Sequence, residues 1–202
     1  MTQTLDNVTQ IAIIRGVTPD EAVAVAGAFV ESGFGVVEVP LNSPDPLESV
    51  RRMAEAYGDR VLIGAGTVLT PADAQAVAEA GGKLIVSPNT NPDVIRETKK
   101  LGLMSVPGVL TPTECFAALD AGADALKLFN AGTVGPATLK AYRAVLPADL
   151  PVYAVGGVTV ENARAWIEAG ANGYGLGRNV YRPGMAIDEI KQLAGAFTAL
   201  WC

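Results

Sequence analysis

The stretch VLIGAGTVLTPADAQAVAEAGGKLIVSPN, residues 61–89, carries the fold in miniature. VLIGAGTV is an unbroken run of apolar and small residues, the composition of a strand covered on both faces. Thr70 and Pro71 follow. Threonine is a favourable N-cap, and proline suits the first helical position, where its missing N–H would have had no partner. Ala and Val residues then recur at helical spacing until Gly81 and Gly82, glycine being a frequent helix terminator. A second apolar run, KLIVSPN, opens at once. The unit reads as strand, helix, strand, the pattern of a parallel pair joined by a crossover helix.

The same unit recurs along the whole chain. Its apolar runs are IAIIRGV (11–17), VVEVPL (36–41), VLIGAGTV (61–68), KLIVSPN (83–89), LMSVPGV (103–109), ALKLFNA (125–131), VYAVGGV (152–158) and YGLGRNV (174–180). Helix starts are marked by TPDE (18–21), TPAD (70–73), NPDV (92–95), TPTE (111–114) and GPAT (135–138). Helix ends are expected at Gly33, Gly58, Gly81, Gly102, Gly122 and Gly170. Eight such units predict an α/β fold: a single-domain (β/α)8 TIM barrel of parallel strands over residues 1–202. It is compact, since about 250 residues is typical. A doubly wound open sheet would carry G-x-G-x-x-G after the first strand, where this chain reads RGVTPDE. The residues before Ile11 are expected to form a short helix closing the barrel floor.

Half of the residues are hydrophobic and 18% are charged, so a folded core is expected and disorder is not. The net charge of −6, with no run of Lys or Arg, argues against nucleic acid and against an anionic membrane surface as partners. A phosphorylated metabolite needs only a local positive site. The uncharged stretch from Leu101 to Thr113 carries two Gly and two Pro, which disqualifies it as a membrane span. MTQTLDNVTQ lacks the basic and apolar regions of a secretory signal. Two cysteines, Cys115 and Cys202, make no disulfide framework, and a cytoplasmic, reducing compartment is expected. Cys115 reads as a small buried hydrophobe. Histidine is absent. That removes imidazole acid–base chemistry and Cys/His zinc sites, and leaves proton transfer to Glu, Asp, Lys, Tyr or Cys.

The reactive face of a parallel barrel lies at the C-terminal ends of its strands. In the second run Val37, Val39 and Leu41 suit the helix-facing layer, which turns Glu38 inward. In the sixth run Leu126 and Leu128 do the same, which turns Lys127 inward. Ile11 and Ile13 share the parity of Arg15, and Ile63 and Ala65 that of Thr67. One reading of parity therefore gathers Arg15, Glu38, Thr67 and Lys127 in one mouth. Lys127, alone of six lysines, has apolar neighbours on both sides within a strand. Burial would lower its pKa, and a neutral amine can attack a carbonyl to form a Schiff base. Glu38 is the one acidic residue inside a wholly apolar strand run and is the candidate proton carrier. The alternative is a structural ion pair between Lys127 and Glu38. Arg15 could hold a carboxylate by two contacts, and the Thr67 hydroxyl could donate to a ligand beside small residues. Gly156-Gly157 and Gly175-Leu176-Gly177-Arg178 end the last two strands, where such barrels often bind phosphate through backbone N–H groups.

The segments IAIIRGVTPDEA, GFGVVEVPLNSP, VLIGAGTVL, LIVSPN, PGVLTPTE, GADALKLF and YAVGGVTVEN together resemble the class I 2-keto-3-deoxy-6-phosphogluconate and 6-phosphogalactonate aldolases, from about Ile11 to Tyr181. The resemblance implies that Lys127 forms the Schiff base and Glu38 is the general acid/base. It also implies that Arg15 and Thr67 contact the keto-acid end, and that Gly157, Gly177 and Arg178 take the phosphate. It further implies catalysis without metal or cofactor and a homotrimer. After the glutamate the gluconate branch looks like E-V-T-L-R-T. This chain has Glu38-Val39-Pro40-Leu41-Asn42-Ser43 and is similar to the galactonate branch. The implied reaction cleaves a phosphorylated 2-keto acid, 2-dehydro-3-deoxy-6-phosphogalactonate, to pyruvate and D-glyceraldehyde 3-phosphate. The alternatives are the gluconate epimer, a broad-specificity keto-acid aldolase, or a phosphometabolite-binding barrel without catalysis. The chain departs from the family where Asn130 follows Phe129 in place of proline, and where Arg178 stands in place of serine.

Overall fold

A computed structural model describes Leu5 and residues 7–201. The strands are β1 (Gln10–Ile13), β2 (Val36–Pro40), β3 (Leu62–Gly66), β4 (Leu84–Val86), β5 (Met104–Val106), β6 (Gly108–Val109), β7 (Leu126–Phe129), β8 (Val152–Val155) and β9 (Gly173–Leu176). The helices are α1 (Pro19–Glu31), α2 (Pro46–Tyr57), α3 (Pro71–Glu79), α4 (Pro92–Lys100), α5 (Pro112–Asp120), α6 (Ala131–Val134), α7 (Pro136–Arg143), α8 (Val160–Glu168) and α9 (Ile187–Thr198). All pairings are parallel, in the order β5-β4-β3-β2-β1-β9-β8-β7-β6. The two ends of that order, β5 and β6, are halves of the single run 103–109, separated by Pro107. The sheet thus wraps around to meet itself, giving the expected (β/α)8 barrel with its fifth strand broken. Proline has no N–H to offer a ladder; β5 pairs with β4 and β6 with β7, and the carbonyls of Ser105 and Pro107 accept from the N–H groups of Asp124 and Lys127.

Two apolar layers follow from the alternation of side chains. Ile11, Val36, Leu62, Leu84, Val86, Val106, Ala125, Tyr153 and Val155 fill the barrel interior. Val37, Val39, Ile63, Ala65, Leu126 and Leu128 join the larger layer beneath the helices. The expected parity holds for the first, second and sixth runs. It is reversed for the third. Ile63 and Ala65 face the helices, so alternation alone would also send Thr67 outward. Thr67 has φ +57°, a left-handed backbone that ends the alternation at that residue.

The helix starts lie where the Thr-Pro signals place them. Thr70 accepts from the N–H of Asp73 and Thr111 from that of Glu114, and the Asp73 and Glu114 carboxylates reach back to the cap N–H groups. α2 ends at Gly58 as expected, there with a right-handed φ of −65°. The sixth unit holds a short extra helix, α6, before Gly135. At the floor, the expected helix before Ile11 is absent from Leu5 and residues 7–9, and residues 1–4 and 6 lie outside the described residues. Instead Leu5 and Val8 plug the interior, and the Tyr153 hydroxyl donates to the carbonyl of Val8 at 3.2 Å. Cys115 is buried and free, and Cys202 lies outside the described residues. No helix among the described residues is long and apolar enough to cross a membrane.

Candidate active site

Glu38 and Lys127 lie in the interior, 1% and 8% exposed. β2 presents Glu38 because Val37 and Val39 claim the helix side, and β7 presents Lys127 because Leu126 and Leu128 do. Gly66 of β3 lies against the carboxylate. A methyl group at that position would overlap both oxygens, so only glycine leaves the room Glu38 occupies. The Gly66 backbone favours the charged carboxylate, while Oε2 is buried without a hydrogen-bond partner among the described residues. No ion pair within 4.0 Å joins Lys127 to Glu38 among the described residues, so the structural ion-pair alternative finds no support. The Lys127 Nζ sits 4.8 Å from the centre of the Phe129 ring.

Burial governs the protonation of both groups. It pushes the Glu38 carboxyl up to about 7, against the opposing pull of Lys127, Arg15 and the Gly66 backbone. It pulls the Lys127 amine down, assisted by Arg15 and opposed by Glu38. The low-dielectric interior therefore favours the two uncharged forms, an amine with a free lone pair beside a carboxyl able to give or take a proton near neutral pH.

Arg15, one loop beyond β1, is solvent-exposed, yet its charge reaches both Glu38 and Lys127. Its Nη1 donates to Oδ1 of Asn42, and the N–H of Gly16 donates to Oγ of Ser43 at 2.9 Å. Thr67 is half-buried directly after Gly66. A left-handed φ is unusual for a β-branched residue and marks a strained position.

Beside this pair opens a cavity of about 610 Å³, lined by Arg15, Phe129, Gly156, Gly157, Gly177 and Arg178 among others. Gly156 and Gly157 both have positive φ, which turns the backbone after β8 sharply at the cavity wall. The Arg178 guanidinium has no partner among the described residues. Arg182 also lines the cavity; it donates to the Arg178 carbonyl at 3.3 Å and reaches Glu189 at 3.5 Å. Of the residues expected at the mouth, Arg15, Gly157, Gly177 and Arg178 line this cavity, while Glu38, Thr67 and Lys127 are not part of its lining. Arg15 joins the glycine loops at the cavity, and Glu38 and Lys127 lie within its electrostatic reach.

Sequence reasoning missed Asn42 and Arg182 as parts of this end. Asn42 was visible only as a feature distinguishing two branches. Arg182 lies four residues after Arg178 and reaches back to its carbonyl. The aromatic at 129 shares the inward parity of Lys127.

The aldolase family described as KDPG and KHG aldolase matches residues 1–197. The chain belongs to this family. Within it, the chain is 51% identical over 187 residues to the 2-dehydro-3-deoxy-6-phosphogalactonate aldolase of Escherichia coli (strain K12), covering 93% of this chain and 91% of that protein. A solved structure described as native KDPGal is 50% identical and superposes with a TM-score of 0.93, covering 95% of this chain and 93% of that one. The KDPG aldolase from Legionella pneumophila, solved with pyruvate captured as a covalent carbinolamine, is 27% identical with a TM-score of 0.84, covering 95% and 94%. As a KDPG and KHG aldolase family member, the chain shares its barrel with relatives named for both sugar acids, and its identity is far greater to those named for the galactonate.

Proposed function

We propose that this protein is a class I aldolase that cleaves 2-dehydro-3-deoxy-6-phosphogalactonate to pyruvate and D-glyceraldehyde 3-phosphate. The observation that carries the reading is the buried, unpaired placement of Lys127 and Glu38 in one barrel mouth, in a chain half identical to an enzyme of that name. The neutral Lys127 amine adds to the C2 carbonyl, and loss of water leaves a protonated imine. The C3–C4 electron pair flows into that imine as Glu38, directly or across one water, takes the proton of the C4 hydroxyl. Glyceraldehyde 3-phosphate departs. Glu38 returns its proton to C3 of the enamine, and water hydrolyses the imine to free pyruvate and Lys127.

Arg15 supplies a cation for the keto-acid carboxylate, and Thr67 a hydroxyl at the same end. Gly157, Gly177 and Arg178, which line the same cavity, take the phosphate. Fixed backbone N–H groups suit this task because they need no side-chain ordering. The reading extends to a cytoplasmic homotrimer, supported by the family resemblance and by the exposed apolar Leu69, Leu110 and Phe116.

The test is pyruvate release from the two C4 epimers side by side. The galactonate epimer is expected to be cleaved faster, with activity unchanged by EDTA. Borohydride added with pyruvate should leave a mass adduct on the peptide containing Lys127. An adduct only on another lysine, or activity lost to EDTA and restored by a divalent metal, would sink the reading.

A further inference from the structure

We propose that Asn42 is a positioning residue for the reaction: together with Ser43 it latches the loop after β2 onto the loop after β1 and so aims the Arg15 guanidinium at the keto-acid end of the ligand. This deepens the aldolase reading and rests on it.

Two consecutive residues of one loop hold two consecutive residues of the other. Asn42 Oδ1 accepts from Arg15 Nη1, and Ser43 Oγ accepts from the Gly16 N–H at 2.9 Å. The second contact is anchored, because Ser43 is 9% exposed and its own N–H donates to the Pro40 carbonyl at 2.9 Å. The orientation of the Asn42 amide is settled by chemistry. A guanidinium only donates, so the oxygen must face it and the NH2 must face away. Arg15 carries the cation that both Lys127 and Glu38 feel, yet it is exposed, and no other side chain among the described residues bonds its guanidinium. A long side chain on the rim has many rotamers and loses them on binding unless something already holds it. Asn42 performs that ordering without neutralising the charge, as an Asp or Glu partner would. The cation therefore remains available to a carboxylate while its direction is set beforehand. Among the described residues the NH2 group of Asn42 makes no hydrogen bond, which leaves a further donor beside it.

A double-mutant cycle tests this, with the pyruvate concentration needed for half-maximal borohydride trapping at Lys127 as the readout. Asn42→Ala is expected to raise that concentration roughly tenfold, the scale of a hydrogen bond to a charged group at a partly solvated site. In an Arg15→Ala background the same substitution is expected to change it by less than about twofold, since there is nothing left to aim. The maximal extent of trapping should hold in Asn42→Ala, because Lys127 is intact. An equal effect in both backgrounds, or a tenfold loss accompanied by a lowered Tm and a reduced maximal extent, would overturn the latch and make Asn42 a structural residue. Absence of trapping in the unsubstituted protein would instead overturn the aldolase reading, and the latch with it.

Discussion

Glu38 sets the pH behaviour of the molecule because it is a carboxyl that the fold keeps from water. Its pKa of about 7 lies above the ordinary 4.5, so between those values the folded chain binds more protons than the unfolded chain. Its contribution to stability is therefore intact below pH 4.5 and is lost as the pH climbs through about 7. Lys127 works in the opposite direction, its lowered amine making folding more favourable as the pH rises toward 10.5. Glu38→Gln keeps the shape and removes the titration. The variant should gain stability relative to the parent between pH 5 and pH 8, by on the order of 1–3 kcal/mol, as read from urea denaturation at the two pH values. The same variant should slow turnover by roughly 10²–10⁴-fold while still being trapped by borohydride at Lys127. A variant that turns over normally, or one that loses stability at pH 8, would remove Glu38 from the proton-carrying role.

At the level of elements, the barrel is made regular by its helix starts. Proline opens α1, α2, α3, α4, α5 and α7, and capping boxes close over α1, α3, α5 and α8. At α5 one carboxylate oxygen of Glu114 accepts from the N–H groups of Leu110 and Thr111, both at 2.7 Å. These bonds hold the Glu114 carboxyl below its ordinary pKa. Thr111→Ala removes the reciprocal half of the box and should cost about 1 kcal/mol of stability, measured by denaturant midpoint, with kcat unchanged. The starts were legible in the sequence because a cap is written in four consecutive residues. The break at Pro107 and the left-handed Thr67 were less so. Whether a proline interrupts a ladder depends on which neighbours flank it, and the parity of β3 depends on which of its small residues the interior can accommodate. Gly64 and Gly66 take the inward places there, where an apolar count alone favoured Ile63 and Ala65.

Across the whole molecule, one cavity is lined by Arg15, Phe129, the glycine loops and Arg178. On the proposed reading this cavity takes the ligand, with its phosphate at the glycine loops. Arg178→Ser removes an exposed cation from the phosphate side only. It should raise KM for the phosphorylated substrate by about tenfold or less, since the 1.5–3 kcal/mol of a charge-assisted bond is diminished by solvent at the rim. Cleavage of an unphosphorylated keto acid should be nearly untouched. Equal damage to both substrates, measured by steady-state kinetics, would place Arg178 in the fold or at the keto-acid end.

The sequence by itself determined the repeat, the parallel barrel and the two inward-facing ionisable residues, since each rests on local periodicity: alternation along a strand, spacing along a helix, a cap beside its proline. Family membership was legible for a similar reason, in short segments around Glu38, Thr67 and Lys127. Only the tertiary structure decided how those groups meet. Closure of the barrel buries Glu38 against Gly66 and keeps it out of ion-pair contact with Lys127, and so drives both toward their neutral forms. It also brings Asn42 to Arg15 and Arg182 to the turn at Arg178. Those contacts join loops distant in the chain or depend on how a turn folds back. No local pattern specifies them; they follow from strand register and from the few ångströms that separate one strand end from the next.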